Sequence, residues 1–500
     1  MRLGGSLIIF LHFTSSVRYD AVKQQTGYFW QLDSLNLNLN YSMLGDRNKN
    51  CEYYPGTPVY QRPSGPFGDY SCDSPIDLIR SATAFMKTIR GEEFDFLLWT
   101  GDSGPNTGNP TNAKESKNVQ MYIDEMTQLL REEFPYSSIY PVLGDRDTFH
   151  HKPDTTQGGQ KDTSPNQSPL GDASALDTEL YRYVSEIWNT WLPPSAVQTL
   201  KKGGYYKVEL AGRRLNLVGL NTGLWLKDTE RGRYTGGDPG LQFSWLEQVL
   251  QKAREKQQTV IIFGHTPPGV FEIGSHNQAQ YWYHPVYNSR YNRLVLQYSD
   301  VIVGQFFGHQ NTDTFRIFRD GKRNPVSWAL ISPAVSPRTV LNGEPDLVVS
   351  SPSLRLYRYS TYDGKILDYS QFTLSLDDSN SGGVPQWKLQ YNFSSQYSNI
   401  GGISPESLDL LYTKLQSNTR PDLLDNYLVS NSQLAPLTCG ASCQQAHFCS
   451  ISNIDFNNYR QCMMISSTGR NLFLSHHCVF LFLVLFHQFF SFGCSYLDNV

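Results

Sequence analysis

Five short segments of this chain are spaced like the loops of a divalent-cation site, though only about half of their side chains are of the usual ligand types: Ser34-Leu35-Asn36, Gly101-Asp102, Gly144-Asp145-Arg146-Asp147, Gly264-His265 and Gly308-His309-Gln310-Asn311. Carboxylate oxygens and imidazole nitrogens are the usual ligands of zinc and its neighbours. A cation held by them can polarise a phosphoryl oxygen or lower the pKa of a bound water. One Gly-Asp or Gly-His pair means nothing, and an isolated histidine is more often structural. Four such pairs in one chain, each directly after an apolar run, point to a common site.

Those apolar runs are the elements that must position the site. Residues 94–100, 138–143, 215–220, 259–263 and 301–307 are short, partly β-branched or aromatic, and end at Gly, Asn or a charged residue, which predicts buried strands. Between them, Ile76–Arg90 starts after Ser74-Pro75, read as an N-cap and first-turn proline, and carries apolar residues at helical spacing. Val119–Phe134 and Phe243–Lys256 do the same. Strands alternating with helices predict a layered α/β domain. A glycine at each strand end turns the chain sharply, and the next side chain enters the crevice above the sheet where ligands of open α/β sheets collect.

Residues 152–173 are polar and without periodicity, which predicts a long exposed loop. The pair His150-His151 precedes it and either rejoins the site or lies in solvent. Past Tyr369 the pattern becomes polar, then helical from Pro405 to Leu428, then rich in cysteine. The domain reading is 1–18 signal peptide, 27–370 main domain, 371–465 helical cysteine-containing subdomain and 466–500 hydrophobic tail.

The net charge of -4 and the lack of a basic stripe give no reason to expect a nucleic acid polymer as partner. Met1-Arg2-Leu3, the apolar run Ser6–Phe13 and small residues Thr14, Ser15 and Ser16 have the layout of a secretory signal. Export fits the eight cysteines. Cys439, Cys443, Cys449 and Cys462 lack a CxxC spacing, which favours disulfides over a zinc knuckle, and Cys51 and Cys72 are candidates for a third bridge. N-glycan acceptor sequences stand at Asn40, Asn166 and Asn392. The apolar stretch Leu472–Phe492 reads either as a removable GPI signal, anchoring a secreted protein at the cell surface, or as an unrelated tail.

The site loops, together with Gly65-Pro66-Phe67-Gly68-Asp69-Tyr70, Cys72-Asp73-Ser74-Pro75, Lys202-Gly203-Gly204-Tyr205-Tyr206, Leu220-Asn221-Thr222, His265-Thr266-Pro267-Pro268-Gly269 and Gly304-Gln305-Phe306-Phe307, make the chain resemble the calcineurin-like metallophosphoesterases. Within them it is similar to the acid sphingomyelinase-like phosphodiesterases, nearest the 3B-like branch, whose members carry a GPI anchor. The resemblance runs from about Phe29 to Cys462. It implies a β-sandwich core flanked by helices, a small disulfide-stapled helical subdomain with Cys439–Cys443 and Cys449–Cys462 pairs, and metal-dependent phosphodiester hydrolysis.

In such families an Asp-x-His opens the site, a bridging Asp follows, then Gly-Asn-His-Asp, a Gly-His or Ala-His, and a closing Gly-His-x-His. Two ions about 3.5–4 Å apart clamp the phosphoryl group, and a histidine protonates the leaving oxygen. The resemblance makes Asp102 the bridging carboxylate and adds Asp145, His265 and His309, a ligand set for one zinc. The second set fails: Ser34 and Asn36 replace Asp-x-His, and Asn311 replaces the last His. Hydroxyl and amide groups bind zinc more weakly than carboxylate and imidazole. Strand alternation points the neighbouring Asp33 away from the site. Arg146 stands at the general-acid histidine position and Asn106 at a second one, and arginine cannot serve as a general acid. The resulting expectation is one zinc rather than two, no assignable catalytic residue, Arg146 as a phosphate-binding candidate, and a phosphate-containing ligand or lipid headgroup bound but hydrolysed poorly. The alternative is a working one-metal phosphodiesterase acting on nucleotides or sphingomyelin-like lipids.

Overall fold

The computed structural model describes residues 26–464, except 54–63, 107–112, 149–172, 228–236, 273–279, 342–346, 399, 418 and 433–438. The segment read as a secretory signal, His150, His151, nearly all of the polar loop, Asn166 and the hydrophobic tail lie outside the described residues.

The strands are β1 (Thr26–Leu32), β2 (Tyr41–Asp46), β3 (Phe96–Trp99), β4 (Ile139–Pro141), β5 (Tyr206–Glu209), β6 (Leu215–Gly219), β7 (Thr259–Phe263), β8 (Ile302–Phe307), β9 (Thr314–Arg319), β10 (Pro325–Ile331), β11 (Arg338–Leu341), β12 (Leu347–Ser350), β13 (Ser353–Ser360), β14 (Ile366–Leu374) and β15 (Trp387–Asn392). They form two six-stranded sheets, ordered β15-β14-β13-β1-β3-β4 and β5-β6-β7-β8-β10-β9, and a two-stranded ribbon β11-β12. In the first sheet β1, β3 and β4 run parallel; in the second β6, β7, β8 and β10 do. The sheets meet face to face through aromatic rings: Phe306 of β8 packs edge-on against Phe29 of β1 at 5.4 Å and Tyr357 of β13 at 4.8 Å. Burying such rings is the main driving force for joining the layers. Each segment predicted as a buried strand is one.

Helices Ile76–Arg90, Ala113–Glu133 and Gln242–Glu255 flank the sheets, each within a few residues of its predicted bounds or longer by a turn or two. The start of the first is a correction: Pro75 is the N-cap residue, and Ser74 Oγ is buried without a hydrogen-bond partner. The predicted C-terminal boundary at 371 also shifts, because β14 and β15 are paired into the sheet that holds β1. The purely helical region begins after β15, and its predicted single segment is two helices, Pro405–Leu415 and Pro421–Ser432. Disulfides join Cys51 to Cys72, Cys439 to Cys443 and Cys449 to Cys462. Of the glycan acceptors, Asn40 is exposed, whereas Asn392 Nδ2 donates to Ser370 Oγ at 2.7 Å. Among the described residues no helix is long and apolar enough to cross a membrane.

The helix Ala441–Ser452 brings His447 into a buried position beside Tyr427, where Nε2 has no hydrogen-bond partner. Burial pushes this imidazole down from 6.5 to about 4, against the attraction of Glu272. Between those values the unfolded chain binds the proton and the folded chain does not, so stability falls as pH falls through that window. The expected loss is about 3 kcal/mol from this group. Urea unfolding of His447→Gln across the same window should show a correspondingly flatter slope than the parent.

Candidate metal centre

The C-terminal ends of parallel strands from both sheets open onto one crevice. Strand β3 delivers Gly101-Asp102, β4 delivers Gly144-Asp145, β7 delivers Gly264-His265 and β8 delivers Gly308-His309. Two glycines are required by close approach. A Cβ on Gly101 would lie 2.4 Å from the backbone nitrogen of Gly144, and one on Gly308 would lie 1.7 Å from Asp33 Oδ1. The first locks two site loops together; the second makes room for a buried carboxylate under the loop carrying His309.

Asp102, Asp145, His265 and His309 each offer one ligand atom, all within 4.8 Å of one another. His265 Nε2 lies 3.3 Å from Asp102 Oδ2, 2.9 Å from Asp145 Oδ1 and 3.1 Å from His309 Nδ1. Bonds of about 2.0–2.2 Å to a tetrahedral zinc place neighbouring ligand atoms roughly 3.3–3.6 Å apart, so the cluster needs little expansion. His265 Nδ1–H donates to the Thr100 carbonyl at 2.7 Å, which aims Nε2 into the cluster. Burial opposes a charged imidazole there, but Asp102 and Asp145 hold His265 protonated well above its ordinary pKa. Burial likewise opposes ionisation of Asp145, yet His309 and His265 keep its carboxyl well below the usual range. A buried site that demands positive charge among carboxylates fits a divalent cation. Trp282 stands edge-on to the His309 ring at 4.3 Å.

The other half of the crevice is different. Ser34 Oγ donates to Asp33 Oδ2 at 2.9 Å, and Asn36 Nδ2 donates to the Gly104 carbonyl at 3.1 Å. Asn311 Oδ1 is buried without a hydrogen-bond partner. Asn106 is tied through its backbone N–H to Asp73 at 2.7 Å. Arg146 Nε lies 3.5 Å from Asp145 Oδ2. Ser34, Asn36, Asp102, His309 and Asn311 all have left-handed backbone, with φ of 45°, 42°, 59°, 65° and 57°. That conformation is unfavourable for residues other than glycine, and such strain gathers at functional sites. Three of these residues, Ser34, Asn36 and Asn311, stand where the sequence resemblance expects metal ligands.

Two carboxylates escaped sequence reasoning in opposite ways. Asp33 is a correction: it points inward, because the left-handed turn at Ser34 ends the strand alternation on which the outward reading relied. It accepts from Thr100 Oγ1 at 2.8 Å and from the His309 backbone N–H at 3.1 Å. Burial raises it to about 7 despite His265 and the Thr100 bond. Asp147 accepts backbone N–H bonds from Asp102, Ser103 and Gly144 at 2.8–2.9 Å, joining the second and third site loops. Its place in the Gly-Asp-Arg-Asp run was the only available signal. Replacing Asp33 with Ala strips partners from Thr100, Ser34 and His309. The expected result is a cost of about 2–4 kcal/mol in urea unfolding and a metal affinity lowered about 10- to 100-fold by calorimetry.

A profile of the calcineurin-like phosphoesterases matches residues 76–313, and one of the acid sphingomyelin phosphodiesterase C-terminal region matches residues 324–468. Acid sphingomyelinase-like phosphodiesterase 3b of Mus musculus is 34% identical over 88% of this chain and 90% of its own length. The chain belongs to the acid sphingomyelinase-like phosphodiesterase family. The human protein of the same name is 32% identical over 90% of this chain and 93% of its own. The human Cyclic GMP-AMP phosphodiesterase SMPDL3A is 31% identical over 90% and 92%. The two-sheet architecture is accordingly a metallophosphoesterase fold, a fold that implies a metal cofactor.

Proposed function

We propose that this family member holds one zinc ion on Asp102, Asp145, His265 and His309, binds a phosphate-containing ligand beside it, and has lost most or all hydrolytic power. The observation that carries this reading is the asymmetry of the crevice. One half assembles four donors around a common point, whereas in the other the Ser34 hydroxyl and Asn36 amide are turned to protein partners.

The cation, when bound, polarises a phosphoryl oxygen and acidifies a water. The chain's own residues do the rest. Thr100 orients His265, Asp33 and Asp147 hold the loops that present His309 and Asp102, and Trp282 packs against the His309 ring. Proton delivery to a leaving oxygen is missing from this set, because arginine stays protonated at physiological pH and Arg146 stands where relatives place a histidine.

A second reading is a one-metal phosphodiesterase on nucleotides or sphingomyelin-like lipids, supported by relatives whose names describe phosphodiesterases of both kinds. Hydrolysis of bis-p-nitrophenyl phosphate separates the two. The first reading expects no turnover above the His265→Ala background; turnover that His265→Ala abolishes establishes the second. Secretion and a GPI anchor belong to the proposal as well, on the terminal sequences alone, and peptide mapping of the mature protein tests them.

A further inference from the structure

We infer that Glu272, Arg316, Thr312 and Asn431 form a buried brace that sets the separation of His265 and His309, so that Asn431, on a helix of the C-terminal region, is a positioning residue for the metal centre. The inference rests on the one-zinc reading above and adds the residues that hold its two imidazole loops in place.

The loop after β7 and the loop after β8 carry one imidazole each. Their starts are joined directly, by the Gly308 N–H donating to the His265 carbonyl at 2.8 Å. Farther along, the joint passes through side chains. Glu272, at the far end of the first loop, accepts from Thr312 Oγ1 at 2.8 Å through Oε1 and from Arg316 Nη2 at 2.9 Å through Oε2. The same Nη2 donates to Gln310 Oε1 at 3.0 Å and to the Val270 carbonyl at 2.9 Å, so one guanidinium holds both loops. Glu272, Gln310, Thr312 and Arg316 are all buried. Away from water such bonds have no ready substitute.

Asn431 closes the brace from the C-terminal side. Its Nδ2 donates to Glu272 Oε1 at 3.0 Å and to the Asp313 carbonyl at 3.1 Å, and its own carbonyl accepts the Asp313 N–H at 3.2 Å. It sits near the end of the helix Pro421–Ser432 and is fully buried. A residue from the part of the chain matched by the C-terminal profile thereby holds loops that belong to the phosphoesterase profile.

The second loop needs such ties. His309 and Asn311 are held at positive φ of 65° and 57°, and backbone strain of that kind persists only where the surroundings over-determine it. His309 Nδ1 stands 2.9 Å from Asp145 Oδ1 and 3.1 Å from His265 Nε2 only while the loop keeps this shape. With the brace cut, the binding-competent loop is fractionally populated, and zinc affinity falls by that fraction.

Chelator-competition titration of zinc into the full chain tests this, at a temperature where circular dichroism shows every variant folded. Thr312→Val keeps the outline of the side chain and deletes the hydroxyl, whereas Thr312→Ser keeps the hydroxyl. Thr312→Val and Asn431→Ala should each weaken zinc binding about tenfold, the lower end of the effect of losing a partner behind a ligand, and Thr312→Ser should bind as the parent does. Leu423→Ala, in the same helix but in the hydrophobic core and outside the brace, should lower stability to urea and leave zinc affinity unchanged. By linkage, Thr312→Val should destabilise the zinc-saturated chain more than the metal-free chain, by the factor lost in affinity; a merely structural role costs both forms alike. Zinc affinity that is unchanged in Thr312→Val and Asn431→Ala, or lowered as much by Leu423→Ala, overturns the brace and leaves the metal centre standing. A parent chain that fails to bind zinc, or binds it indifferently to His265→Ala, overturns the one-zinc reading itself.

Discussion

Zinc added to the metal-free chain will saturate at about one ion per molecule, and His265→Ala will weaken that binding by more than the roughly 10- to 100-fold typical of losing an outer-shell partner. The four donors lie close to the spacing of a tetrahedral shell, and His265 is the hub, with Nε2 within 3.3 Å of ligand atoms from the three others. Its Nδ1–H is bound to Thr100, so the ring cannot swing away, and an alanine leaves a buried group with no replacement nitrogen. A second ion would need Ser34, Asn36 and Asn311, which offer only neutral oxygens and nitrogens. Inductively coupled plasma analysis after zinc loading and desalting reads the stoichiometry directly. Two tightly held ions, with Ser34 or Asn36 among the ligands, would mean that the asymmetry of the crevice has been misjudged.

If the proposed reading holds, installing the ligand types that the resemblance expects should confer hydrolysis. A variant carrying Ser34→Asp, Asn36→His, Arg146→His and Asn311→His should take up a second ion and hydrolyse bis-p-nitrophenyl phosphate at least about 10²- to 10⁴-fold faster than the parent, the range a positioned general acid alone contributes. The left-handed backbone at Ser34, Asn36 and Asn311 is the reason to expect success. A conformation that costs about 1 kcal/mol or more at each non-glycine residue is present at all three positions, so a grafted carboxylate or imidazole starts from loops already turned. The measurement is the steady-state rate alongside metal content. Two ions bound without faster turnover would show that the lost step lies elsewhere than in these four side chains.

Much of the site was legible because its parts are local patterns. An apolar run of strand length ending in Gly-Asp or Gly-His reads the same in a list of residues as in space, and the four donors so marked do meet. The helix Ile76–Arg90 was legible for the same reason, down to its first and last residue. Its cap was not: a serine before a proline has the right composition, yet whether its hydroxyl faces the first turn depends on the path of the preceding chain.

The amino-acid order by itself determined the layered α/β class, the family and the four donor residues that meet, since each is written in residue identity and short-range spacing. Tertiary structure decided that Asp33 turns inward, that Asp147 ties two site loops together, and that β14 and β15 complete the first sheet. Side-chain alternation holds only while the backbone stays extended, and one left-handed residue at Ser34 ends it. Contacts between segments far apart in the chain leave no periodic trace, because packing and hydrogen bonding across the crevice, not neighbouring residues, set where they fall.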